Sequence, residues 1–125
     1  MNELFAIGLG GFLGAIARYG LSRCVDQYVS QFPLGTLSVN VIGSLILGFI
    51  GYSIIYGKNI SPELRGFISI GFIGAFTTMS TFAFETTRLW DVGHHWISMV
   101  NIAANVFLCL LAIVVGKVIA VAMFR

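Results

Sequence analysis

Gly71-Phe72-Ile73-Gly74-Ala75-Phe76-Thr77-Thr78-Met79-Ser80-Thr81-Phe82 places two glycines and four hydroxyls inside an apolar stretch long enough to cross a membrane. A straight helix facing lipid would gain nothing from them. Ser and Thr hydroxyls compete for backbone carbonyls and glycine lowers helix propensity, so this run predicts a local unwinding near the middle of a span. Broken helices are tolerated at membrane depth only where the freed backbone groups are buried in protein, line water or coordinate an ion.

Working outward, the rest of the chain has the composition of a membrane protein. Of 125 residues, 58% are hydrophobic and 10% charged, far from the mix of a soluble domain. Stretches able to cross about 30 Å of hydrocarbon at about 1.5 Å per residue lie at 3–22, 34–56, 64–88 and 96–123, within one transmembrane domain covering 1–125. Turn and breaker residues separate them: Gln31-Phe32-Pro33, Gly57 to Pro62, and Asp91 to His95. The start, Met1-Asn2-Glu3-Leu4, lacks the positive region of a signal peptide, so the first apolar stretch is expected to remain as a helix. The fold class expected is an all-α membrane protein of four transmembrane helices, the third broken.

Charge says little about partners but something about orientation. A net charge of +2, scattered along the chain, points to no nucleic acid. With four spans, Lys58, Arg65, Lys117 and Arg125 share one side, and Arg18, Arg23 and Arg88 the other. Lys/Arg asymmetry sets orientation, so this balance fits either weak preference, with insertion both ways up, or a single topology fixed by one charge. Cys24 and Cys109 form no Cys-x-x-Cys pair and have no histidine at ligand spacing, and read as small apolar fillers. Gly10 with Gly14, and Ser44 with Gly48, are small-xxx-small pairs suited to close helix packing. Four short helices leave little room for an internal water path, so an oligomer is the expected functional unit.

Polar residues inside spans are costly and mark pathways. Arg18, near the end of the first span, either snorkels to the interface or makes an electropositive vestibule for anions. Asn40 and Ser44 share a face of the second span, for an interhelical hydrogen bond or an ion. Glu85 has two candidate partners, Arg88 or the hydroxyls of a neighbouring helix. Asn101 and Asn105, at i and i+4, share a face of the fourth span. Together with Asn40, Ser80 and Thr81 they form a candidate ladder of neutral donors. Such a ladder suits an anion, because amide and hydroxyl protons replace its hydration shell without a fixed carboxylate to repel it. Phenylalanine edges can act in the same sense, weakly.

The chain resembles the small bacterial fluoride channels, the Fluc or CrcB family. The likeness runs through Gly11 to Tyr19, through Gly35 to Ser44, and above all through Gly71 to Phe82. It implies passive fluoride efflux across the bacterial inner membrane, lowering cytoplasmic fluoride. It also implies an antiparallel, dual-topology homodimer with two pores, which agrees with the flat charge balance. By position, Asn40 and Phe82 resemble pore-lining residues, Ser80 and Thr81 the hydroxyl track beside them, and Arg18 the vestibule arginine. Gly74 and Thr77 resemble the carbonyl positions that hold one structural sodium ion at the dimer centre. The chain departs from the pattern at Met79, where the family commonly has a phenylalanine, and at Asn101 and Asn105, which align with a tyrosine and a serine; all three are carried as pore residues.

Two other classes compete. A four-helix proton-coupled multidrug or guanidinium exporter resembles a mechanism needing a buried carboxylate in the first span, where the only acid is Glu3, at its end. An assembly subunit would use the glycine faces but not the intramembrane amides and hydroxyls. No acid, base and nucleophile set suggests an enzyme.

Overall fold

The computed structural model describes residues 2–29 and 31–125, and among these every regular element is a helix. The elements are α1 (Asn2–Asp26), α2 (Leu34–Ile55), α3 (Pro62–Arg65), a π-helical segment (Gly66–Ile73), α4 (Gly74–Phe76), α5 (Met79–Asp91) and α6 (His95–Phe124). Among the described residues, four stretches are long and apolar enough to cross a membrane, the third running from Pro62 to Asp91. Helical geometry thus continues past the apolar bounds read from the sequence, into the charged ends Asp26, Asp91 and Pro62-Glu63.

The turns follow from local chemistry. Ser61 caps α3 by accepting the Leu64 amide at 3.2 Å, with Pro62 at the first helical position, where its missing N–H costs nothing. Gly57 (φ 95°) and Gly93 (φ 88°) follow the ends of α2 and α5 in the left-handed conformation that suits glycine there. At the α1–α2 corner, Asp26 Oδ1 accepts the Gly35 amide at 2.8 Å, placing a carboxylate at the exposed N–H groups of α2.

Polarity is inverted relative to a soluble bundle. Ser98, Asn101 and Val39 are the largest fully buried side chains, whereas Phe5, Phe12 and Ile16 on α1 and Phe107, Leu110 and Val118 on α6 are exposed. At most 22% of each span is buried within one copy. The remaining apolar surface suits lipid or a second copy, not water.

α2 packs most extensively on α6, and α1 on the π segment. Glycines allow both approaches: a Cβ on Gly10 or Gly14 would lie within 3 Å of the Phe67 or Phe72 backbone, and one on Gly48 or Gly116 would strike the facing backbone of α6 or α2. The π segment was not anticipated. Its hydrogen bonds run from i to i+5, which brings Gly66 and Gly71 to one face, both against Ile7 of α1. Beyond it the span breaks. Thr77 (φ −86°, ψ 156°) and Thr78 (φ −150°, ψ 116°) are extended, and the chain passes from α1, against which α4 packs, to α6, against which α5 packs. The third helix is therefore broken near its middle, inside the hydroxyl run.

Candidate functional site

An extended turn inside a membrane leaves backbone groups without helical partners, and each needs another. Asn40 of α2 supplies two: its Oδ1 accepts the Thr78 amide at 2.8 Å, and its Nδ2 donates to the Thr78 carbonyl at 3.2 Å. Thr78 restarts the helix as the cap of α5, its Oγ1 accepting the Thr81 amide at 3.2 Å and donating to Thr81 Oγ1 at 3.0 Å. The Thr77 hydroxyl turns back to donate to the Ile73 carbonyl at 3.0 Å, and its methyl sits where Gly43 of α2 has no side chain.

The polar residues on α6 join this arrangement as a chain. Asn40 Nδ2 also donates to Asn105 Oδ1 at 3.0 Å; Asn105 Nδ2 donates to both oxygens of Asn101 at 3.0 Å; Asn101 Nδ2 donates to Thr86 Oγ1 at 2.9 Å. Thr86 donates to the Phe82 carbonyl at 2.7 Å, and Ser98 donates to the Thr86 carbonyl at 2.9 Å.

The break is reached from two sides. On one lies a groove of about 400 Å³ whose lining includes Asn40, Ser44, Thr77, Met79, Phe82 and Asn105. None of the described residues lining it is Asp, Glu, Lys or Arg; Leu47, Ile73, Val106, Cys109 and Leu110 make up much of the wall, so an anion entering meets a largely apolar surface with no fixed carboxylate to repel it. On the other side is a pocket of about 230 Å³ where Arg18 and Tyr19 of α1 face Thr36, Thr78 and Thr81. Thr78 borders both. A third hollow of about 360 Å³ near the α1–α2 corner is lined by Asp26, Glu85 and Arg88. Glu85 Oε1 accepts the Thr36 hydroxyl at 2.9 Å, so of its two candidate partners the neighbouring hydroxyl is the one used.

The residues singled out from sequence fall into distinct places. Asn40, Met79, Phe82, Asn105 and Thr77 meet in the groove, with Met79 74% exposed. Arg18 and Thr81 meet in the opposite pocket. Ser80 is exposed, its Oγ 3.4 Å from Thr78 Oγ1. Asn101 is 0% exposed and borders neither cavity; its amide is committed to Thr86 and Asn105. Gly74 is exposed, and a Cβ built on it meets nothing within 4 Å. Thr78, Thr86 and Thr36 were not singled out. A hydroxyl one turn beyond Phe82 was the available signal for Thr86, whereas the roles of Thr78 and Thr36 depend on tertiary contacts.

A model of the family described as CrcB-like protein, Camphor Resistance (CrcB), matches residues 5–117. A protein of Methanocaldococcus jannaschii named fluoride-specific ion channel FluC is 46% identical over 125 residues, covering 100% of this chain and 99% of its own length. Its namesake in Sorangium cellulosum is 47% identical over 121 residues, covering 96% and 95%. That of Campylobacter jejuni is 44% identical over 120 residues, covering 95% and 98%.

Proposed function

This chain belongs to the CrcB family, and from that premise we propose that it is a fluoride-selective channel of the cell membrane, through which fluoride leaves passively and cytoplasmic fluoride falls. The observation that carries the reading is identity near one half, along the whole chain, with proteins named fluoride-specific ion channels. The geometry agrees with it. Fluoride is small and strongly hydrated, so a path must offer donors that compensate dehydration without trapping the ion. In this reading Phe82 offers its ring edge in the groove, Thr81 its hydroxyl in the Arg18 pocket and Ser80 an exposed hydroxyl, while Asn40, whose two amide protons go to Thr78 and Asn105, shapes the path beside Asn105, and Met79 stands at its open side. Asn101 contributes from behind the groove. Arg18 draws anions toward the hydroxyls of the opposite pocket. The protein is a conduit rather than an enzyme.

The functional unit in this reading is an antiparallel homodimer of dual-topology subunits in the lipid bilayer. The groove is open along one side, and a second copy closes it. Gly74 and Thr77 hold one structural sodium ion through their carbonyls. Two hydrogen bonds support this. In an unbroken helix the Thr78 amide would donate to the Gly74 carbonyl and the Thr81 amide to the Thr77 carbonyl, but these amides go to Asn40 Oδ1 and Thr78 Oγ1. The two carbonyls thus lack their helical donors, and neutral oxygens suit a hard monovalent cation. Bound there, sodium would satisfy the two carbonyl oxygens that the break leaves without helical donors. Liposomes containing the purified protein should release fluoride and retain chloride.

A further inference from the structure

The hydrogen-bond chain from the break to α5 has a direction, and it is set at both ends. At the break, the Thr78 amide can only donate and its carbonyl only accept, so Asn40 must turn Oδ1 to the first and Nδ2 to the second. At the other end, the single Thr86 proton goes to the Phe82 carbonyl at 2.7 Å, leaving Thr86 Oγ1 an acceptor toward α6. Asn101 must then present Nδ2 to Thr86, which turns its Oδ1 to Asn105. Asn105 in turn presents Nδ2 to Asn101 and Oδ1 to Asn40. Reversing any one amide would set oxygen against oxygen at about 3 Å. Ser98 holds the Thr86 carbonyl from α6, so the terminal group of the chain is itself fixed.

We propose that Thr86 is a positioning residue of the fluoride path: acting through Asn101 and Asn105, it braces the Asn40 amide in the orientation that the Thr78 backbone requires and so steadies the extended turn at Thr77 and Thr78. The inference deepens the channel reading and rests on it. Thr86 borders neither the groove nor the Arg18 pocket. Its influence on permeation is therefore indirect, and it distinguishes Asn101, a relay member sealed from both cavities, from Asn40, which lines the groove.

The test compares Thr86→Val, which keeps the shape and removes the hydroxyl, with Thr86→Ser, which keeps the hydroxyl. Each full-length protein is reconstituted in liposomes for fluoride efflux, and amide hydrogen exchange is followed at Thr78. Thr86→Val should slow efflux roughly tenfold, the scale of one buried amide left unpaired, and speed exchange at Thr78. Thr86→Ser should recover most of both. Unchanged efflux and exchange in Thr86→Val would overturn the proposal, as would a Thr86→Ser protein as impaired as the valine variant. Should Thr86→Val not fold, Asn101→Asp, similar in size but unable to donate to Thr86, carries the same expectation, and intact protection of Thr78 in it would sink the relay. If the unmodified protein passes no fluoride, the channel reading fails, while exchange at Thr78 still judges the relay.

Discussion

Asn40 carries three hydrogen bonds, two to the Thr78 backbone and one to Asn105. Asn40→Asp replaces Nδ2 by an oxygen facing two acceptors, at 3.2 and 3.0 Å, and adds a negative charge to a groove without carboxylates. Fluoride flux should fall roughly a hundredfold or more, at about 1–3 kcal/mol per buried bond lost. In the same liposome assay Phe82→Ile should slow flux several-fold, because an aliphatic side chain has no electropositive edge. Met79→Phe should preserve or raise it, and chloride should stay excluded in all three. That Asn40 matters was legible from its place inside a span, since an amide there needs a reason. Its partner was not. Thr78 presents a backbone pair to Asn40 only because the chain is extended there, and no spacing between positions 40 and 78 announces that. Asn101 shows the converse: it reads as a free donor on the Asn105 face, yet both partners of its amide are internal.

The four spans were legible because apolar runs separated by turn residues leave few alternatives, and the break because glycines and hydroxyls crowd one stretch. The π segment was not, since Gly66 and Gly71 acquire a common face only once that segment is wound with i to i+5 bonds. Its seat on α1 makes a testable claim. A Cβ on Gly14 would collide with the Phe72 carbonyl oxygen, while one on Gly8 or Gly20 of the same helix meets nothing within 4 Å. Gly14→Ala should therefore destabilise the protein by about 1–3 kcal/mol, the usual scale of overpacking, and lower its melting temperature in detergent. Gly8→Ala and Gly20→Ala should melt no lower than the unmodified protein. Equal melting of all three variants would contradict the close seat of α1 on the π segment.

At the scale of the molecule, one copy leaves many large apolar side chains of its spans exposed and its groove open. Of the four cations read to one end, Lys58 lies over the Phe124 ring at 4.4 Å and Lys117 over the Tyr52 ring at 5.1 Å, against three arginines read to the other. Dual topology, part of the proposed reading, is one of the two arrangements that so flat a balance fits. With Cys24 and Cys109 replaced, single cysteines introduced at Asn59 and His94, exposed at opposite ends, should each label in only part of the population of intact cells. Complete labelling of one site and none of the other would contradict it. The central claim, a fluoride-selective path past the Asn40 clamp, is tested most directly by ion efflux from liposomes carrying the purified protein. Unmodified protein should release fluoride and hold chloride, and Asn40→Asp should release neither. Chloride efflux as fast as fluoride, or undiminished fluoride efflux through Asn40→Asp, would contradict the account.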